Sequence, residues 1–324
     1  MHRPPAPVLR FVDQVAGDGA EELDFRFSRS VLTEFDVDVV HVLDSQLDAL
    51  LGTKHAGSFQ RVLATRALTR NLRKHRIALV RTLNEAADET ALRRDSLARR
   101  MLDAATTTFV VFDDCTPTPD KMRTVVVPHA HFRDRFLGYP RGKAIKGRLL
   151  CIARGELPRG ARQLIAIPRV TATPDVTLRL AGEAANELAA IIRSASAKHS
   201  SVISARIERL SDGAQVQEID AAELVTVPQV DSPSDLQSVF LALSLERPVI
   251  TPRTPQMSAL AAEVGSAWLH LTDGPITATA VDTAFERLRH ATEGGPQLDG
   301  RDLTTIRASY AAVFRQSAAR VHDQ

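Results

Sequence analysis

Cysteine is scarce in this chain. Only Cys115 and Cys151 occur in 324 residues, far apart and with no metal-ligand spacing, which excludes a disulfide framework and a cysteine-built zinc site. Both abut apolar strand-like runs, so both are expected to be buried thiols. Long apolar stretches are missing too: no window approaches the roughly 18 uninterrupted apolar residues of a membrane-spanning helix. Met1-His2-Arg3-Pro4-Pro5 leads into Val8 to Val12 without the apolar core of a secretory signal, and a cytoplasmic protein is expected. No Gly-x-Ser-x-Gly elbow accompanies Ser28, Ser30 or the scattered histidines, which argues against serine hydrolysis. No internal repeat or low-complexity segment is found.

Charge is present but unevenly placed. The formal net charge is only +2, yet residues 54–84 hold Lys54, Arg61, Arg66, Arg70, Arg73, Lys74, Arg76 and Arg81 and no Asp or Glu. The pattern predicts a basic helix over Ser58 to His75, with Phe59, Val62, Leu63, Leu68 and Leu72 as its apolar stripe. Such a helix can be a solvated face, a weak contact for an anionic membrane surface, or a nucleic-acid contact. No aromatic platform interleaves the charges, so nucleic acid is not expected as a partner.

The length exceeds the ~250–300 residues at which a single core stops growing, so two domains are expected. Strand-like runs at Val8 to Val12, Asp24 to Phe27, Val37 to Leu43, Ile77 to Leu83, Thr108 to Phe112 and Thr124 to Val127 alternate with helices over Ser58 to His75 and Glu89 to Ala104. A second series has strands at Arg148 to Ala153, Asp175 to Ala181, Val202 to Ile207, Glu223 to Val227 and Pro248 to Thr251. Its helices are expected around Gln163 to Ile165, Ala184 to Ala197 and Ser234 to Ser244. A last amphipathic helix covers Asp302 to Arg320, with Leu303, Ile306, Tyr310, Val313 and Phe314 on one face. The alternation predicts α/β architecture with two Rossmann-like, parallel-sheet domains. Gly138 to Gly147 is the most linker-like interior segment, giving domains at 1–140 and 147–300 and a terminal helix over 301–324. The first unit is abbreviated, because only about a dozen residues separate its first two strands, barely enough for a parallel crossover.

The run Leu149-Leu150-Cys151-Ile152-Ala153-Arg154-Gly155-Glu156-Leu157-Pro158-Arg159-Gly160 is the most informative for chemistry. Two guanidiniums follow a strand, and Gly160 opens a helix. Arg154 and Arg159, with amides at a helix start, could stabilise the charge of a departing nucleoside diphosphate without a metal; they could equally be solvated arginines on a loop. Asp36-Val37-Asp38 leads into a buried strand without further ligands, and His129 and His131 lack a third, so no metal site is expected.

These segments resemble a family. Leu149 to Gly160 is similar to the Gly-Arg-Leu-x-x-x-Lys-Gly signature that opens the donor domain of GT-B glycosyltransferases of the family-4 kind. Leu178-Arg179-Leu180-Ala181-Gly182 resembles its Leu-x-Leu-x-Gly strand end, and Val225-Thr226-Val227-Pro228 its Val-Leu-Pro strand. Leu241 to Ile250 parallels Glu-Ala-Met-Ala-x-Gly-x-Pro-Val-Val. In the first half, Val127-Pro128-His129-Ala130-His131-Phe132-Arg133-Asp134 resembles the Pro-His-Gly-x-Tyr-Arg-Asp segment of bacterial glucuronosyl- and mannosyltransferase-like groups.

The resemblance implies a GT-B protein: two Rossmann-like domains facing across a cleft, acceptor domain first, donor domain second, the terminal helix packing back across the cleft. It implies sugar transfer from a nucleotide-sugar donor to a saccharide or lipid-linked saccharide acceptor, in the cytoplasm, with attachment to the inner membrane face left open and no cofactor or metal. Arg154, Arg159 and Gly160 are then expected at the diphosphate, His129 near the donor sugar, Asp235 and Ser238 at the ribose or phosphate, and Asp44 or Asp88 as the base. There are departures. Pro233 and Leu241 stand where the family has its Glu-x7-Glu pair, only Ser238 matches the alternative Asn-Ser-Gly-Ser turn, and Leu43-Asp44-Ser45-Gln46 replaces His-Trp-Pro-Glu. They leave a second expectation open, a catalytically decayed GT-B-like partner or scaffold of an active transferase.

Overall fold

A computed structural model describes residues 12, 15–17, 23–26, 36–44, 47, 51, 57–83, 97–157, 160–230, 233–290 and 294–323. The elements in chain order are β1 (Val39–Leu43), α1 (Ser58–His75), β2 (Ala78–Thr82), α2 (Leu97–Ala105), β3 (Thr108–Val111) and β4 (Thr124–Val126). They continue with β5 (Arg148–Glu156), α3 (Ala161–Leu164), β6 (Thr177–Glu183), α4 (Asn186–Lys198), β7 (Ile203–Arg206), α5 (Asp212–Asp220), β8 (Leu224–Thr226) and α6 (Pro233–Ser244). The last are β9 (Val249–Pro252), α7 (Pro255–Val264), β10 (Leu269–Thr272), α8 (Ala278–Arg289) and α9 (Leu303–His322). Two compact units result, one of residues 1–130 with 303–324 and one of residues 131–302. The segment 138–147 belongs to the second unit, where Arg141 Nε donates to Asp220 at 2.8 Å and the Gly142 amide to the same carboxylate at 2.8 Å.

The first unit is a four-stranded parallel sheet in the order β1-β2-β3-β4. Strand β2 is buried along its whole length, as a sheet covered on both faces requires. One face carries α9, whose Ile306, Tyr310, Val313 and Phe314 pack with Val15, Val80, Val110 and Val127; Ser317 and Thr108 hydroxyls bond at 2.7 Å within this layer. Helix α1 packs its Leu68 and Leu72 with Val42, Leu47 and Leu79. Residues 23–26 are irregular, not the expected strand, and the Asp24 carboxylate there pairs with Arg26 Nε at 3.1 Å.

Two further expectations are corrected here. The buried stripe of α1 is Thr65, Leu68, Thr69 and Leu72; Phe59 is 73% and Leu63 49% exposed. The face at 65, 68, 69 and 72 holds the i, i+3, i+4, i+7 spacing, and Phe59 and Leu63 fall outside it. Cys115 is exposed, whereas Cys151 is buried as expected. Cys115 lies beyond β3 in a turn closed by Asp113, whose Oδ1 accepts from the amides of Cys115 and Thr116 at 2.8 and 2.9 Å.

Burial also fixes a protonation state in the first unit. The His41 imidazole lies 5.2 Å from the Phe314 ring and 2.8 Å from Thr82 Oγ1, and burial pushes its pKa down to about 3. Because this is below the ordinary value of about 6.5, acid protonates the unfolded chain first. Stability of the first unit is expected to fall as pH drops from ~6.5 toward 3, by up to about 1.4 kcal/mol per pH unit. Urea midpoints between neutral pH and pH ~4 check this against the unfolded histidine reference; an unchanged slope in His41→Gln refutes it.

The second unit is a six-stranded parallel sheet in the order β10-β9-β8-β5-β6-β7. One face is closed by α5, α6 and α7 with Leu150, Ile152, Val225 and Val249. The other is closed by α3, α4 and α8 with Leu149, Cys151, Leu178 and Ile250. Hydroxyl caps start three of its helices: Ser211 accepts from Ala214 N, Thr254 from Met257 N and Thr277 from Ala280 N, satisfying amides that a helix start leaves unpaired. Among the described residues no helix is long and apolar enough to cross a membrane.

Candidate functional site

The strand order alone locates a crevice. From β5 the chain runs outward through β6 to β7, then returns to the other side of β5 as β8. Loops leaving the carboxyl ends of β5 and β8 therefore part in opposite directions, and ligands of open parallel sheets bind at such a point.

Local sequence shapes this end of the sheet. The β5–β6 register is regular from Arg148↔Thr177 to Ile152↔Ala181 and then slips before Glu156↔Glu183. The extra β5 residues form a bulge that carries Arg154, opposite Gly182 at φ +136, a conformation that favours glycine. The sequence-expected turn at 154–156 is thus a continuation of the strand, bent as bulges bend strands. Across the gap, the Gly160 amide donates to Gln229 Oε1 at 3.3 Å. A Cβ at Gly160 would lie 3.1 Å from Pro228 Cβ and 3.3 Å from Gln229 Oε1, so only glycine allows this approach without displacement. Helix α6 follows β8 at the same carboxyl end of the sheet, with Asp235 and Ser238 buried in its first turns.

Beneath the crevice, Thr226 Oγ1 donates to the Leu150 carbonyl at 3.1 Å. Burial pushes the Cys151 thiol up to about 12, too high for a thiolate nucleophile. Among the described residues no three of His, Cys, Asp and Glu are grouped to hold a metal.

Arg154, Gly160, Asp235 and Ser238 are thus brought to the carboxyl end of the second unit's sheet. Arg159 and Asp88 lie outside the described residues. Sequence reasoning missed Gln229, although it directly follows the Val225 to Pro228 segment; its partner Gly160 is distant in the chain, so no local signal marked it.

In the first unit, Asp44 and His129 follow β1 and β4, opposite edges of one sheet. Three strand intervals separate them, about 14 Å at the usual spacing. Asp44 joins a buried ion network: its Oδ1 accepts from Arg81 Nε at 3.1 Å and also from Nη2, and its Oδ2 from Arg99 Nη1 at 2.8 Å. Arg81 also donates to Asp103 at 2.6 Å, and its Cζ stands 5.6 Å from the Phe109 ring centre. His129 is buried, its ring 5.8 Å from that of Phe112. Its Nδ1 is 2.8 Å from the Ala130 carbonyl; a carbonyl only accepts, so Nδ1 carries a proton.

The chain is 26% identical over 320 residues to a GDP-mannose:glycolipid 4-beta-D-mannosyltransferase of Xanthomonas campestris pv. campestris, a match spanning 98% of this chain and 90% of that protein. Among solved structures it is similar to the Anabaena protein HepE in complex with UDP and glucose, with a TM-score of 0.53 at 12% identity, covering 91% of this chain and 78% of that one. The catalytic domain of starch synthase IV from Arabidopsis thaliana, bound to ADP and acarbose, gives 0.50 at 11% identity over 89% of this chain and 73% of its own. No family model matches. The chain is thus similar in sequence to a glycosyltransferase and in fold to two-sheet α/β glycosyltransferase structures. The α/β fold with two Rossmann-like sheets and the glycosyltransferase reading both agree with these relatives.

Proposed function

We propose that this glycosyltransferase homologue moves a mannosyl residue from GDP-mannose to a glycolipid acceptor. The observation that carries the reading is the match to a GDP-mannose:glycolipid mannosyltransferase along 98% of the chain. In this reading the diphosphate occupies the crevice at the ends of β5 and β8, and Arg154, Arg159 and Gly160 are assigned to it through the family resemblance, without a metal. Gln229 fixes the approach of the Gly160 turn. Asp235 and Ser238 line the ribose side, and His129 is assigned to the donor sugar through the family resemblance alone.

Calorimetric titration tests the donor. GDP is expected to give saturable heat and UDP little. Arg154→Ala and Arg159→Ala are each expected to weaken GDP binding about tenfold to a hundredfold, the effect of one charge-assisted contact. Absence of saturable GDP heat, or full affinity in both variants, refutes the placement. A second reading is favoured by one observation: both oxygens of Asp44, a base candidate, already accept from guanidiniums. GDP binding without mannosyl transfer to any glycolipid fraction would support the silent-partner alternative.

The membrane contact is proposed at α1. Phe59 and Leu63 are exposed and share one helix face with exposed Arg66, Arg70 and Arg73. Apolar and cationic groups in one stripe suit an anionic bilayer surface, where each cation contributes about 1 kcal/mol. Sedimentation with anionic vesicles is expected to retain the protein at low salt and release it at high salt, and Phe59→Ser to lower retention. Equal retention on neutral vesicles ends this proposal.

A further inference from the structure

Away from the β5/β8 crevice, a cavity of about 270 Å3 opens between the edge of the second unit's sheet and α8. Ile250, His270, Thr272, Thr277, Thr283 and Arg287 line it. Two strand intervals, about 10 Å, separate β10 from β8, where the crevice begins. His270 is only 4% exposed, and neither ring nitrogen has a hydrogen-bond partner among the described residues. Buried polar groups are rarely left so, because an unmatched donor or acceptor carries its full desolvation cost.

The hydrogen-bonding capacity of the lining decides what fits. Burial first, and the nearby Arg287 charge second, push the His270 pKa down to about 4, so at neutral pH the ring offers one N–H donor and one acceptor. The Thr277 oxygen accepts from the Ala280 amide, leaving its hydroxyl proton to donate. Thr272 and Thr283 donate to the carbonyls of Gly274 and Thr279. Arg287 is exposed on α8 and has no ion-pair partner among the described residues. The acidic lining residue is Asp273, whose carboxylate is held by Arg253 Nε at 2.7 Å.

We propose that this cavity binds a small oxyanion, a phosphate or carboxylate group, through the Arg287 guanidinium, the Thr277 hydroxyl and the His270 N–H. The cavity holds about nine waters' worth of volume, enough for such a group with part of a small molecule attached. The site stands apart from the donor reading and does not depend on it.

The test uses the full chain labelled with 15N in histidine. Inorganic phosphate, acetate and, as the ionic-strength control, chloride are titrated at neutral pH while the His270 ring resonances, assigned with His270→Asn, are followed. Phosphate or acetate is expected to shift them saturably and chloride not, the stronger of the two naming the group. Arg287→Gln, at an exposed position that folding tolerates, is expected to weaken the anion about tenfold or more; Asp273→Asn is expected to strengthen it by removing a repelling charge. Resonances unmoved by both anions, moved equally by chloride, or responding unchanged in Arg287→Gln overturn the proposal.

Discussion

Arg81→Leu is expected to destabilise the first unit by about 3 kcal/mol, the lower end of the 3–5 kcal/mol typical of breaking a buried ion pair. Arg81 is fully buried on β2 and serves both Asp44 and Asp103. Its removal strands two carboxylates, and among the described residues Arg99, which reaches Asp44 at 2.8 Å and Asp103 at 3.3 Å, is the cation that remains to hold them. That residual partner is why the lower end applies. The desolvation cost lies in the orphaned charges rather than in the lost attraction. The triple variant Arg81→Leu, Asp44→Leu, Asp103→Leu is therefore expected to regain much of the loss. Urea unfolding followed by hydrogen exchange at β2 amides reads both. A single-variant change within ~0.5 kcal/mol, ordinary for a surface site, would mean the network adds nothing.

Ending the chain at Asp302 is expected to have a larger effect, confined to one unit. It removes Ile306, Tyr310, Val313 and Phe314, all buried against the first sheet. At about 1.5–3 kcal/mol for each buried side chain, the loss is roughly 6–12 kcal/mol, comparable to the whole stability of a typical domain. The Thr108 hydroxyl also loses Ser317. Hydrogen exchange is expected to show β1 to β4 unprotected while β5 to β10 keep their protection. Equal protection in both sheets after truncation would show that α9 is a dispensable cover.

Legibility in the sequence followed how the core is made. Strands β1, β2 and β3 are nearly continuous apolar runs, and they stand where those runs predict. Helix α5 was not expected, because its inward positions include Gln215, Glu218 and Asp220. Glu218 is satisfied by Arg179 at 2.6 and 2.8 Å and Asp220 by Arg141, so ion pairs take the place of the apolar rhythm that marks a helix. Strand β10 was missed for a related reason: Leu269-His270-Leu271-Thr272 is short and half polar at a sheet edge. The donor crevice was legible in part. Arg154, Gly160 and Val225 to Pro228 flagged the ends of β5 and β8, but the Gly160–Gln229 contact and the strand order that makes a crevice arise only on folding. The Asp44 network was hidden likewise, its members scattered over separate elements until β1, β2 and α2 meet.

The place of α9 in the chain also sets an order of assembly. Domains emerging from the ribosome usually fold in turn, the N-terminal one first. Here the helix that closes the first sheet is made only after every strand of the second unit. During translation the second unit is therefore the one able to finish while β1 to β4 wait with an apolar face uncovered, and nascent-chain misfolding is expected to concentrate on that waiting sheet.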